Sequence, residues 1–215
     1  VAGLRDAFAA LDLLYIADGH HRSAAASRVA AARPDDAAAQ SFLIVAFPAD
    51  ELKILDYNRV VRDLNGLDAA ALLARLDAAF TVEKVAGQAK PAGRHEFGMY
   101  LDGSWYRLTV KRPPAATAPA LERLDVRVLS EQLLEPVLGI GDPRVDPRID
   151  FVGGIRGLDE LERRVDSGDM AVAFALHATG IDELMAVADA GEVMPPKSTW
   201  FEPKLADGLV SYPLR

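Results

Sequence analysis

The 215-residue chain contains no cysteine. Disulfide staples, thiolate zinc or iron–sulfur centres and a cysteine nucleophile are therefore excluded. Cations are also in short supply: 24 Lys and Arg stand against 32 Asp and Glu, a formal charge of −8. That balance argues against general affinity for nucleic-acid backbones or anionic membranes, which need a net excess of positive charge. No apolar run approaches the ~20 residues of a membrane helix, and no charged-then-apolar leader opens the chain. G-x-G-x-x-G, G-x-S-x-G and H-E-x-x-H are all missing, and no zinc, haem or iron–sulfur cofactor is expected. What is present suits a folded core: half the residues are hydrophobic and 26% are charged. The expectation is a cytoplasmic α/β protein. Its first residue is Val1, already in helix-like sequence, which suggests that an N-terminal part is absent.

Leu4, Ala7, Phe8 and Leu11 share one helical face. The apolar runs Leu13–Ile16 and Ser41–Phe47 read as buried strands on either side of an Ala-rich helix from His20 to Arg33, which Pro34 closes. Residues 52–64 resist assignment. Asp68 caps a helix to Phe80, 81–85 is a strand, and Asp102-Gly103 turns a hairpin spanning 97–111. Helices at 124–138, 158–165 and 181–190 alternate with strands at 149–152 and 170–176, and Thr179 opens a capping box. The alternation predicts an α/β fold with a mixed sheet and interleaved helices. Residues 1–112 form one region, 113–120 a Pro/Ala-rich linker, and 121–215 a second region.

Tyr15-Ile-Ala-Asp18-Gly19-His20-His21-Arg22 is the densest cluster of chemistry. A helix start offers unpaired amides and the positive dipole end, so it favours anions. Gly19 lets the backbone approach a ligand closely, and Arg22 supplies a fork for phosphate or carboxylate. His20 and His21 can donate hydrogen bonds or move protons. Asp18 suits a base, an orienting group or a holder of metal-bound water, and equally a plain N-cap. Adjacent helical residues point ~100° apart, so the two histidines do not chelate one metal ion.

Residues 191–199 nearly match the phosphate loop G-x-x-x-x-G-K-[ST]. Pro196 takes the place of the second Gly and removes an amide that the cradle needs. Lys197, Ser198, Thr199, Glu202 and Lys204 nevertheless surround Trp200 and Phe201, a composition that suits an anionic ligand or a rigid closing loop. Arg59, Arg62 and His177 are secondary candidates; His177 lies just past a strand end, where α/β ligands gather.

The two motifs, Tyr15–Arg22 and Met194-Pro-Pro-Lys-Ser-Thr-Trp-Phe-Glu-Pro-Lys-Leu205 with Gly208-Leu209, resemble a widespread prokaryotic domain-of-unknown-function group, the "ten-fifteen" family, and a bacterial protein is expected. More distantly, the Asp18–Arg22 turn with Ala25 resembles the phosphate-binding turn of the ParB/sulfiredoxin-like superfamily, which includes free-serine kinases. That resemblance implies that Gly19 and the following amides hold nucleotide phosphates while Arg22 clamps them. His20 or His21 would contact the transferred group, and Asp18 would act as base or magnesium-water holder. Lys197, Ser198 and Thr199 would line the same pocket. The absence of cysteine excludes sulfiredoxin-type chemistry, and the charge of −8 argues against the DNA-partitioning branch. An ATP- or ADP-dependent kinase for a small polar metabolite, using nucleotide with magnesium, is the leading expectation. A non-catalytic sensor of a nucleotide or anion is the alternative. The partner expected is a small-molecule ligand, with a homodimer left open and neither nucleic acid nor membrane foreseen.

Overall fold

Antiparallel pairing organises residues 54–202 in the computed structural model, which describes residues 2–206 and Gly208. Val1 and Leu209, the last residue of the second motif, lie outside the described residues. The chain divides into two units, 1–53 with 203–215 and 54–202.

In the first unit, α1 (Ala2–Ala9) precedes α2 (His20–Ala32). The side-chain amide of Gln40 donates to the carbonyls of Ala30 (3.1 Å) and Arg33 (2.9 Å), so the C-terminal end of α2 is satisfied just before Pro34 would have broken it. The expected strands at 13–16 and 41–47 are not strands: both segments join no ladder among the described residues. Leu13, Leu14, Ile16, Phe42, Leu43, Ile44 and Val45 are about half exposed. An apolar run records a tendency to be buried, whereas a strand also requires a neighbour for its N–H and C=O groups.

β1 (Lys53–Leu55) starts on the last residue of the first unit's N-terminal segment and runs into the second unit, which continues with β2 (Tyr57–Val61), α3 (Ala69–Leu76), β3 (Phe80–Val85), β4 (Glu96–Leu101) and β5 (Ser104–Val110). Next come α4 (Asp125–Leu129), β6 (Ile149–Gly153), α5 (Asp159–Asp166), β7 (Val172–Leu176), α6 (Ile181–Asp189) and β8 (Trp200–Glu202). Six strands form one sheet in the order β3-β5-β4-β7-β2-β6, and the short β1 and β8 pair separately. The mixed α/β class holds, but every ladder of the six-stranded sheet is antiparallel rather than mixed. The tight turn at Asp102 (φ 47°) and Gly103 (φ 68°) forces β4 and β5 into a hairpin. Asp68 accepts from the Ala71 amide at 2.7 Å and starts α3 as the sequence predicts. Residues 113–119 run as a loop inside this second unit, and Ala120 opens a short 3-10 helix to Arg123.

Two apolar layers sandwich the sheet. Val61, Phe97, Met99, Leu108, Val172 and Phe174 belong to the larger cluster with Leu72 and Leu76 of α3 and Val128 and Leu129 of α4. Val60, Tyr100, Ala173 and Ala175 face the smaller cluster with Leu161 of α5. Gly98 in mid-β4 is a space requirement, since a Cβ there would run into the Ala89 carbonyl. The capping box of α6 has a different member from the one expected. The Gly180 amide donates to Glu183 Oε2 (2.9 Å), while the Thr179 hydroxyl donates to the Ser198 carbonyl (3.2 Å) and ties the 195–199 loop to the start of α6.

Candidate functional site

In the first unit, the site begins with backbone geometry. Gly19 adopts φ 82° at the N-cap of α2, and no side chain caps the helix. First-turn amides are thus left facing outward, with no acidic residue in the first turn to neutralise them. Asp18 is not the cap. Its Oδ1 accepts from the Gly19 amide at 2.7 Å, and its Oδ2 lies 3.2 Å from Lys204 Nζ. Burial raises the Asp18 pKa, but the Gly19 hydrogen bond and the charges of Lys204 and Arg22 outweigh it and hold the carboxyl below its usual range. The Arg22 guanidinium folds back over the turn: a Cβ on Gly19 would meet its Nη2 at 2.9 Å and Nε at 3.1 Å. Glycine at this position therefore serves both a left-handed backbone and the close seating of Arg22. His20, His21 and Arg22 are exposed. A groove of about 180 Å³ follows one residue later, lined by Ser23, Ala26, Ser27 and Ala30 on one face of α2 and by Ala39 and Phe42.

In the second unit, the remaining candidates apart from Arg62 gather at one end of the sheet. Register places Tyr57 opposite Gly153, Arg59 opposite Phe151 and Phe174, and Phe97 opposite Leu176. The start of β2, the end of β6, the end of β7 and the start of β4 therefore coincide. Arg59 is only 4% exposed, its Nη1 donates to the Tyr57 carbonyl at 2.7 Å, and its guanidinium lies 4.7 Å from the Phe151 ring centroid. Burial lowers its pKa to about 10, so it remains a cation at neutral pH. Tyr57 packs against Phe151 (6.3 Å, edge-on) and Trp200 (5.8 Å), and Lys197 Nζ sits 5.7 Å from the Tyr57 ring. Gly153 makes room for the indole, since a Cβ there would lie 2.6 Å from Trp200 Cε3. Lys197 is exposed, and its backbone is left-handed at φ 56°. Ser198 is buried with its hydroxyl donating to the Pro195 carbonyl (2.7 Å), Thr199 is half-buried, and Glu202 accepts from Trp200 Nε1 (2.7 Å).

His177 follows β7 at this same end, beside a pair that the sequence did not reveal. His95 precedes β4 with φ 64°, a strained backbone for a residue other than glycine. Its amide donates to Asp125 Oδ1 at 2.9 Å, and its Nδ1 lies 3.0 Å from the same oxygen, close but not aligned as a hydrogen bond. Burial pushes the Asp125 pKa up, against the His95 amide bond and the positive fields of His95, Arg94 and His177. Arg94 Nη2 in turn pairs with Glu183 Oε1 at 2.9 Å. Arg62 does not join the group: it is exposed at the opposite end of β2. A groove of about 470 Å³, lined by Leu64, Leu101, Asp102 and Met170, also lies at that opposite end and includes none of the sequence-predicted residues. Nothing local flags His95, Asp125, Tyr57 or Phe151 as a site, because only register brings them together. Among the described residues, no cluster of three or more His, Asp or Glu is placed to hold a metal ion, and no helix is long and apolar enough to cross a membrane.

These features define a mixed α/β protein with an anion-favouring helix start in one unit and a cationic, aromatic sheet end in the other. Residues 1–127, more than half of the chain, match the family described as Protein of unknown function (DUF1015), and the chain belongs to that family. No curated protein matches it. Among solved structures it is similar in fold to a mutant of free serine kinase in complex with AMP, at 19% identity and TM-score 0.50, covering 89% of this chain and 68% of that one. A second mutant of the kinase with AMP gives 18% identity and TM-score 0.51, covering 89% and 69%. A conserved hypothetical protein from Pyrococcus furiosus gives 18% identity and TM-score 0.50, covering 89% and 71%. At these identities the likeness is one of fold.

Proposed function

We propose that the chain binds a nucleotide through its phosphates at the Gly19–Arg22 helix start and serves a phosphotransferase for a small polar metabolite. The observation that carries this is Arg22 folded over an uncapped, glycine-opened helix N-terminus with Lys204 beside Asp18. Phosphoryl transfer needs positioning and charge neutralisation, which helix amides and these cations supply. The groove along α2 starts next to Arg22 and gives a flat base an apolar face. The kinase structures of similar fold contain AMP, which favours the same ligand class here. His20 and His21 are the proposed donors to the transferred group. Asp18 is the one carboxylate of the turn; it would contact a magnesium ion carried on the nucleotide phosphates, where that ion supplies charge neutralisation. Lys197, Ser198 and Thr199 remain proposed anion contacts of the second loop.

Calorimetry of the chain with AMP, ADP and ATP, with and without magnesium, tests the proposal. Binding that is lost in Arg22→Ala supports it, and no heat with any nucleotide overturns it. One observation favours a second reading, a non-catalytic sensor. Asp18 is already committed to Gly19 and Lys204 with a lowered pKa, a poor state for a general base. Under that reading, Asp18→Asn leaves nucleotide affinity intact and no phosphoryl transfer is ever detected.

A further inference from the structure

The second unit buries an arginine without an acid. Arg59 points to the face of the sheet that carries the larger core, opposite Phe151 and Phe174, and is 4% exposed. Its only hydrogen bonds among the described residues come from Nη1, to the carbonyls of Tyr57 (2.7 Å) and Asn58 (3.5 Å). Nε and Nη2 donate to nothing there, and no carboxylate pairs with the guanidinium. Arginines elsewhere in the unit behave differently. Arg148 and Arg164 are both more exposed, yet Arg148 holds Asp146 and Asp63, and Arg164 holds Asp150 and Asp169. A buried cation lacking a counter-ion is among the costliest arrangements a fold can hold, and a ring face offsets only part of that cost.

The surroundings point to what completes it. The acid nearest in sequence is bonded to a neutral donor: Asp56 Oδ2 accepts from Asn58 Nδ2 (2.6 Å). Phe151 lies against the guanidinium, Tyr57 stands edge-on to Phe151, and a second cation, Lys197, sits over the Tyr57 ring on a left-handed backbone. Two cations thus flank linked aromatic rings at one sheet end. We infer that this end is a subsite for an oxyanion, a carboxylate or a phosphate, borne on a small flat or apolar body. The unused N–H groups of Arg59 grip the oxyanion, the rings contact the body, and Lys197 adds charge at the rim. The subsite goes beyond the nucleotide proposal and stands without it, since every residue that carries it lies in the second unit.

Benzoate, phenyl phosphate, neutral benzamide and inorganic phosphate are the probes, read on this chain by melting temperature and by tryptophan fluorescence, with Trp200 as the reporter. Benzoate or phenyl phosphate is expected to bind and raise the melting temperature, and benzamide is not. Preference for one or the other distinguishes a carboxylate from a phosphate ligand, and either supports the subsite. Arg59→Met should melt at or above the wild-type temperature without ligand, because an unpaired charge has gone, and should weaken the aromatic anion at least about tenfold. Arg59→Lys keeps the charge without the fork and should weaken it by a similar factor; it serves as the test should Arg59→Met fail to fold. Arg22→Ala should lose AMP and keep benzoate or phenyl phosphate, so failure of the nucleotide proposal and failure of this one are separately visible. Aromatic anions that bind no better than benzamide overturn the inference, as does unchanged anion affinity in Arg59→Met or Arg59→Lys.

Discussion

Replacing Gly19 probes the proposed nucleotide turn most directly, because the glycine has two separable duties. Its φ of 82° is a left-handed conformation that costs a residue such as alanine about 1–2 kcal/mol. The Cβ of any replacement also lands 2.9 Å from Arg22 Nη2 and 3.1 Å from Nε. The guanidinium is the far end of an exposed, flexible side chain, so it swings away at little cost to the fold. What is lost is its place over the helix start. A charge-assisted hydrogen bond to a phosphate contributes ~1.5–3 kcal/mol, so AMP affinity should fall by roughly 10- to 150-fold. Asparagine tolerates the left-handed region yet carries the same Cβ, so Gly19→Asn isolates the steric effect on Arg22 from backbone strain. Calorimetry with AMP should show Gly19→Asn and Arg22→Ala losing affinity to a similar degree. The double variant should be no worse than either single one, since both remove the same contact. Gly19→Asn binding AMP within about threefold of wild type, while Arg22→Ala loses it, would refute the reasoning. Arg22 would then act from somewhere other than its seat over Gly19.

The other expectations are brief. Gly98→Ala should cost ~1–3 kcal/mol and lower the melting temperature by several degrees, because the new methyl meets the Ala89 carbonyl; an unchanged melt contradicts the packing described. Asp125 has a raised pKa in the fold, so its ionised form is the disfavoured one, and stability falls as pH rises from the unfolded value through the folded one. Asp125→Asn, which mimics the protonated acid, should therefore gain melting temperature over wild type at pH 7–8, with the gain vanishing below about pH 4; a constant difference at every pH counts against this. Asp18 has the opposite sign: its lowered pKa contributes stability above the unfolded value that is lost as pH falls through the folded one. Lys204→Ala should raise the Asp18 titration midpoint by NMR yet cost under ~1 kcal/mol, since both partners are about half exposed.

What the sequence revealed, and what it hid, follows from how far apart the interacting residues lie. The Asp68 cap, the Asp102-Gly103 turn and the Gly19–His20 helix start are each encoded within four residues, and each is visible as a pattern. The apolar runs at 13–16 and 41–47 mislead because hydrophobicity says that a segment seeks cover and nothing about whether a ladder partner exists. Strand β2 is the instructive failure. Tyr57-Asn-Arg-Val-Val reads as half polar, yet four of its five residues are buried. Asn58 is spent inside the sheet, donating to Asp56 and accepting from the Leu176 amide at 2.9 Å, which is a structural reason for its polarity. Arg59 has no such internal reason. A polar residue that spoils an otherwise readable strand and then finds no acid inside the fold marks where local consistency has been given up. Such departures concentrate at functional sites. The same logic separates the two members of the His95–Asp125 pair from an ordinary surface ion pair: 30 residues apart and joined only by tertiary packing, they hold a left-handed histidine against a buried carboxylate. The residues least legible in the sequence are thus those at the sheet end, where an oxyanion would supply the missing partner.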